Sequence, residues 1–302
     1  MLTEKQAEER ATILGALDHQ FQVYDQIDRL SRELRLFHCS MKRAKSGKMM
    51  LVQGGSGLGK TRLMEYYVSQ NGGSVLDGGT MVVVEVPPSS TVKTLVSAIL
   101  KALGDPQAEK GRISELTDRA VGLIKDLKVT AVVFDELNHF IDRDTEKVLK
   151  KCVDWFKSFL DKIHLTLLVF GLPRMTEVIS SSSQLRRRTQ RIVSVEPFGF
   201  KSQEEIEEFQ CLLLFLTDAM PFANASTLAT KAMAAKIHQA TLGRVGFVSR
   251  LLIAAGLEAL SQRRENIVAK DLWCAFNQLC KEEEEDLEGV GNPFSEQSRV
   301  CS

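Results

Sequence analysis

Residues Gly54, Gly55, Ser56, Gly57, Leu58, Gly59, Lys60 and Thr61 fit the pattern G-x-x-x-x-G-K-[ST]. This stretch constrains the fold more than any other, because the pattern works only between a strand and a helix. Both flanks are present: the apolar run Met49–Val52 precedes it, and Arg62–Val68 carries apolar residues at helical spacing. Glycines at Gly55, Gly57 and Gly59 let backbone N–H groups turn inward around a polyphosphate, alongside Ser56 and Leu58. The helix N-terminus adds partial positive charge. Lys60 would reach the β- and γ-phosphates of ATP, and Thr61 would hold Mg²⁺.

A second element points to hydrolysis as well as binding. Val129–Phe134 is a buried-strand run that ends in Asp135 and Glu136. Strand C-termini converge on the ligand crevice in a parallel sheet. Asp135 would therefore stand near Thr61 and share the Mg²⁺, and Glu136 would polarise the attacking water. His139 has no second His or Cys at ligand spacing, which argues against a metal site there.

Five short apolar runs recur between helical patterns: 49–53, 81–86, 131–134, 165–170 and 192–195. That alternation predicts an α/β core with a parallel sheet covered on both faces. It stops at Pro197, and only helical patterns follow: 204–219, 226–241, 245–262 and 269–284. The predicted organisation is an N-terminal helical segment at 1–45, a nucleotide-binding core at 46–200, a helical lid at 201–284 and an acidic, solvated and disordered tail at 285–302. Lys+Arg and Asp+Glu both number 39, so a nucleic-acid surface must be a local patch. The six cysteines form no C-x-x-C, and most fall in apolar helical patterns, reading as reduced core residues. With a polar, helix-forming N-terminus, they predict a cytoplasmic protein without a secretory leader or membrane span. Tyr24 reads as a core aromatic, with adenine packing as the alternative.

A P-loop core with a helical lid is the layout of AAA+ ATPases. Within them the chain resembles the TniB/TnsC family of transposition regulators, over nearly its whole length. Besides residues 54–61, the likeness rests on Asp135–Phe140, Leu168–Pro173, Leu185–Arg188 and Gly243–Gly246. It implies a magnesium- and ATP-dependent protein that forms an oligomer or helical filament on double-stranded target DNA. The implied partners are further copies of itself, a transposase and a target-selection protein of the TniQ type. Hydrolysis would drive disassembly. Two other readings stand beside this one: a helicase loader or replication-initiator-like AAA+ ATPase, and a nucleotide-gated signalling or scaffold ATPase that needs no DNA.

The resemblance also implies roles for particular residues. The run at 186–191 falls where AAA+ proteins place an arginine finger, with Arg188 first by position and Arg187 second; a basic loop for DNA phosphates is the alternative. Related sequences tend to carry a lid arginine just after the second glycine, where this chain has Phe247. Arg244 and Arg250 are the remaining candidates, or else ordinary helix-surface arginines. No polar residue stands near the end of the fourth strand, and Thr166 is too early, so Asn138 or a backbone group would sense the γ-phosphate. DNA phosphates would meet Lys93 and Arg112, with the Thr91 hydroxyl as a further donor; the plain alternative is surface charge. Lys147, Lys150 and Lys151 alternate with acids and read as a salt-bridged helix face.

Overall fold

The computed structural model describes residues 2–19, 23–41, 47–88, 91–137, 146–283 and 285–294. They form two compact units. One contains residues 25–55 and 60–195. The other contains residues 1–24, 56–59 and 196–302.

The first unit is built on five parallel strands: β1 (Lys48–Gln53), β2 (Met81–Glu85), β3 (Ala131–Asp135), β4 (Thr166–Gly171) and β5 (Thr189–Ser194), in the order β2-β3-β4-β1-β5. The inner strands are apolar between their end residues because both faces are covered. Met49, Leu51, Val132, Phe134, Leu167 and Val169 face one core, shared with α4 (Val92–Ala102), α5 (Ile113–Asp126), α6 (Glu146–Lys162) and α7 (Arg174–Ser181). Residues of the opposite parity, such as Met50, Val52, Leu168 and Phe170, are equally buried. Helices α2 (Asp25–Ser40) and α3 (Lys60–Gln70) pack against β4 and each other, and supply their cover. β5 is an edge strand with exposed Gln190, Arg191 and Ile192, so it starts three residues before its apolar signal does. The short helix α8 (Ser183–Arg188) leads into it.

The second unit is helical. It comprises α1 (Glu4–Gly15), α9 (Gln203–Asp218), α10 (Lys231–Thr241), α11 (Val245–Ser261) and α12 (Ala269–Glu282). A 3-10 turn over Ala225–Ala229 breaks the pattern expected to run unbroken from 226 to 241. Asp271 is fully buried and accepts two bonds from Arg264, at 2.6 and 2.5 Å, plus one from the Val268 N–H at 2.9 Å. That charge is acceptable inside because each of its oxygens is bonded.

Three expectations need correction. The N-terminal segment is not one unit: α1 packs on α11, with Leu14 against Gly256, whereas α2 belongs with the sheet. The acidic segment from 285 to 294 is not simply solvated, because Leu287 and Phe294 are buried in the helical core. Among the described cysteines none is fully buried: Cys39 and Cys211 are exposed, and Cys274 and Cys280 are half-buried, with Cys280 packed against the helical core. Residues 295–302, the rest of the expected tail, lie outside the described residues. No single helix among the described residues is long and apolar enough to cross a membrane.

Candidate nucleotide site

The chain leaves β1 at Gln53 and turns through Gly54–Gly59 before α3 begins at Lys60. Gly57 and Gly59 have φ of +70° and +82°, in the left-handed region that favours glycine. The first-turn N–H groups of α3 have no acceptors within the helix, so the loop and helix present donors to an anion. Lys60 is 5% exposed, and its Nζ donates to the Gly55 carbonyl at 2.8 Å. A buried ammonium folded back along its own loop suits a polyphosphate.

Thr61 and Asp135 meet as the strand arrangement requires. The Thr61 hydroxyl donates to Asp135 Oδ2 at 2.8 Å. Asp135 is 5% exposed, and burial pushes its carboxyl above the usual carboxylate range against the opposing pull of the Thr61 hydrogen bond. A hydroxyl and a buried carboxylate side by side are the hard oxygen donors that Mg²⁺ prefers. Glu136 follows with φ +54°, strained for a residue with a side chain, and its N–H donates to Asp135 Oδ1 at 3.0 Å. Leu137 anchors the turn by burial and by donating to the Phe170 carbonyl at 3.3 Å. The strained turn sets Glu136 directly after Asp135 at the C-terminal end of β3.

Sequence reasoning missed Gln53. Its Nε2 donates to the Ser194 hydroxyl at 3.3 Å, and its Oε1 accepts from the Thr176 hydroxyl at 2.5 Å. It is a further polar group among these strand ends, and a glutamine closing a largely apolar strand directly before the glycine loop was the available signal. Thr166 pairs with Lys48 and Ala131 at the opposite, N-terminal edge of the sheet and is fully buried. Asn138, His139 and Phe140 lie outside the described residues, as do the side chains of Lys147, Lys150 and Lys151.

In the arginine run, Leu185 is buried and pins α8. Arg188 is half-buried, ion-paired with Asp161 and bonded to the Gly47 carbonyl at 3.5 Å. Arg191 pairs with Glu33 at 2.9 Å. Arg186 and Arg187 are exposed and make no ion pair among the described residues. The residue first by position is thus engaged within its own chain, and the second is presented to solvent.

In the helical unit, Tyr24 packs on Phe198 with ring centroids 4.7 Å apart, a core contact. Arg244 precedes α11, donates to the Ser56 carbonyl at 3.4 Å and pairs with Asp286 at 2.6 Å. Arg250 pairs with Glu283 at 2.6 Å.

The expected DNA residues fall on one side of the sheet unit. Lys93 is exposed on α4 and lines a groove of about 370 Å³ with Thr94, Ser97, Lys101 and Glu109. The loop after α4 is drawn over it by a Lys101–Glu109 pair at 2.5 Å. Arg119 holds that loop in shape, bonding Asp105 at 2.6 Å and the Gln107 carbonyl at 2.6 Å. Arg112 is exposed at the loop's end, where its N–H donates to Glu115 at 2.8 Å. The Thr91 hydroxyl is used locally: it caps α4 by accepting from the Thr94 N–H at 3.1 Å.

A buried Lys60 in a glycine loop, with Thr61, Asp135 and Glu136 gathered at the ends of a 2-3-4-1-5 parallel sheet, defines an AAA+ P-loop ATPase. The profile described as "Bacterial TniB protein" matches residues 13–197, and the chain belongs to the TniB family. No curated protein matches it by sequence. Among solved structures it is similar to the Aeropyrum pernix ORC2 protein in its ADPNP–ADP complexes, at 12% identity and TM-score 0.65, covering 91% of this chain and 74% of that one. It is similar to the Aeropyrum pernix ORC1 protein in complex with DNA, at 15% identity and TM-score 0.64, covering 90% and 70%. Cdc6p from Pyrobaculum aerophilum gives 14% identity and TM-score 0.63, covering 90% and 72%. Identities this low speak to the fold.

Proposed function

We propose that this chain is an ATP-dependent, DNA-binding regulator of transposition, acting in the cytoplasm. With ATP it assembles on duplex DNA and links a target-selection protein of the TniQ type to a transposase; hydrolysis releases it. The contact between Thr61 and Asp135, joined to a TniB-family sequence, is the observation that carries this reading. The ORC/Cdc6-like fold favours a second reading, a helicase loader or replication initiator. That protein would act on a helicase and show no transposase-dependent activity.

The residues divide the work. Lys60 and the loop N–H groups bind and orient the phosphates. Thr61 and Asp135 would hold Mg²⁺, which when bound offsets the charge on the phosphate oxygens. Glu136 would take a proton from the attacking water. Arg187, exposed at the end of α8, is the arginine that fits a neighbour's site; Arg188 would need to leave Asp161 first. Arg187→Ala is expected to bind ATP normally and lose ATPase activity by about 10³-fold, the scale of a finger supplied in trans. Mixing it with a Lys60→Ala protein should restore part of the rate in a steady-state phosphate-release assay. No recovery on mixing would sink the in-trans assignment.

Lys93 and Arg112 would each contact DNA phosphate, giving affinity without sequence preference. Lys93→Ala and Arg112→Ala should each lower the magnitude of the log-affinity versus log-salt slope by about one, across unrelated duplexes. Fluorescence anisotropy over a salt series measures it. An unchanged slope in the double variant would move the DNA path elsewhere, with Arg186 and Arg191 next in line.

A further inference from the structure

Helix α4 of the sheet unit carries Lys93, Ser97 and Lys101 four residues apart, so the three share one face of the helix. With Pro87, Ala98 and Glu109 they line the groove of about 370 Å³. Ser97 is the unusual member. It is 7% exposed, yet its hydroxyl makes no hydrogen bond among the described residues. A hydroxyl this deep in a helix is ordinarily bonded, so an idle one lining a groove marks a place for a ligand's acceptor. Lys93 and Lys101 stand one turn to either side of it.

An anion already occupies this place. The Glu109 carboxylate, on the loop after α4, accepts from Lys101 at 2.5 Å. That bond and the Lys101 charge, with the Lys93 charge added, hold the Glu109 carboxyl below the usual carboxylate range. Both lysines therefore act on one anionic position. The loop delivers the carboxylate there by its own packing: Ala108 is buried in the core, and Arg119 bonds Asp105 and the Gln107 carbonyl, both at 2.6 Å. The Lys101 and Glu109 side chains are 62% and 70% exposed, so their pair is weak and a competing anion can displace it. A DNA phosphodiester carries one negative charge, as the carboxylate does. Its two free oxygens accept from an ammonium and a hydroxyl together. Pro87 and Ala98 offer an apolar wall for the sugar beside it.

We propose that this groove receives a phosphodiester of duplex DNA, bonded by Ser97 and Lys101, and that Glu109 is a gate that holds the place until DNA displaces it. Lys101 is then a backbone contact beyond Lys93 and Arg112, released only on binding. This rests on the reading of Lys93 and Arg112 as DNA-facing.

The test is fluorescence anisotropy of the full chain with duplex DNA and a non-hydrolysable ATP analogue, over a salt series. Glu109→Gln keeps side-chain size and removes the competing charge. It should bind about two- to fivefold tighter, the scale of one exposed ion pair, and steepen the log-affinity versus log-salt slope by about one. Lys101→Met on that background should cancel both gains. Ser97→Ala on the same background should weaken binding about tenfold, as loss of a hydrogen bond to a charged acceptor does. Asp28→Asn adds the same net charge by freeing Arg32 from an exposed pair on α2, and should produce neither gain. Unchanged binding by Glu109→Gln, a gain that survives Lys101→Met, an equal gain in Asp28→Asn, or no loss on Ser97→Ala would overturn the gate while leaving the DNA reading standing. A Glu109→Gln gain for poly-glutamate and not for duplex would assign the groove to an acidic protein, and would also overturn it. Absence of duplex binding by wild type and variants alike would overturn the DNA reading and the gate with it.

Discussion

Glu136→Gln is expected to bind ATP as the wild type does and to hydrolyse it about 10²- to 10⁴-fold more slowly, the usual contribution of a positioned general base. Binding survives because the Lys60, Thr61 and Asp135 contacts do not pass through the Glu136 side chain. The amide keeps the side chain's size and the strained backbone at φ +54°, and loses only the ability to accept a proton. Single-turnover hydrolysis beside equilibrium binding separates the two effects. Turnover at the wild-type rate would show that another group activates the water. Loss of binding as well would show that Glu136 shapes the loop.

Lys60→Ala is expected to weaken ATP binding by about 10²-fold or more. Hydrogen bonds to charged groups contribute about 1.5–3 kcal/mol each, and Lys60 stands to make two to the β- and γ-phosphates. Its burial makes the loss larger than that of a surface lysine, since a charge bond made away from solvent is screened less. The loop itself should persist, because Gly54 is held by the Gly171 carbonyl at 3.2 Å and Gly57 by Gly246. Calorimetric titration with ATP checks the affinity. A Kd within a fewfold of wild type would remove this loop from nucleotide binding.

The sheet was legible because its inner strands are buried on both faces and read as unbroken apolar runs. The glycine loop and the Asp135–Glu136 pair were legible because their chemistry fixes residue types at fixed spacing. What escaped depended on distant partners. Nothing near Arg188 in sequence announces Asp161, and nothing near Arg244 announces Asp286. The segment after α12 reads as solvated by its charge, yet single residues, Leu287 and Phe294, anchor it. The left-handed backbone of Glu136 is set by the Leu137 bond to Phe170, a contact between neighbouring strands that no local pattern encodes. β5 was placed late because an edge strand tolerates the polar Thr189, Gln190 and Arg191.

Whether nucleotide gates DNA binding is the question on which the proposed function turns. Equilibrium binding to duplex DNA by fluorescence anisotropy, in parallel with a non-hydrolysable ATP analogue and with ADP, answers it most directly. Binding about tenfold tighter or more with the analogue, alike for unrelated sequences, is the expected result, a coupling of ordinary size between two sites. Equal affinity in the two nucleotide states, or no duplex binding in either, would contradict it.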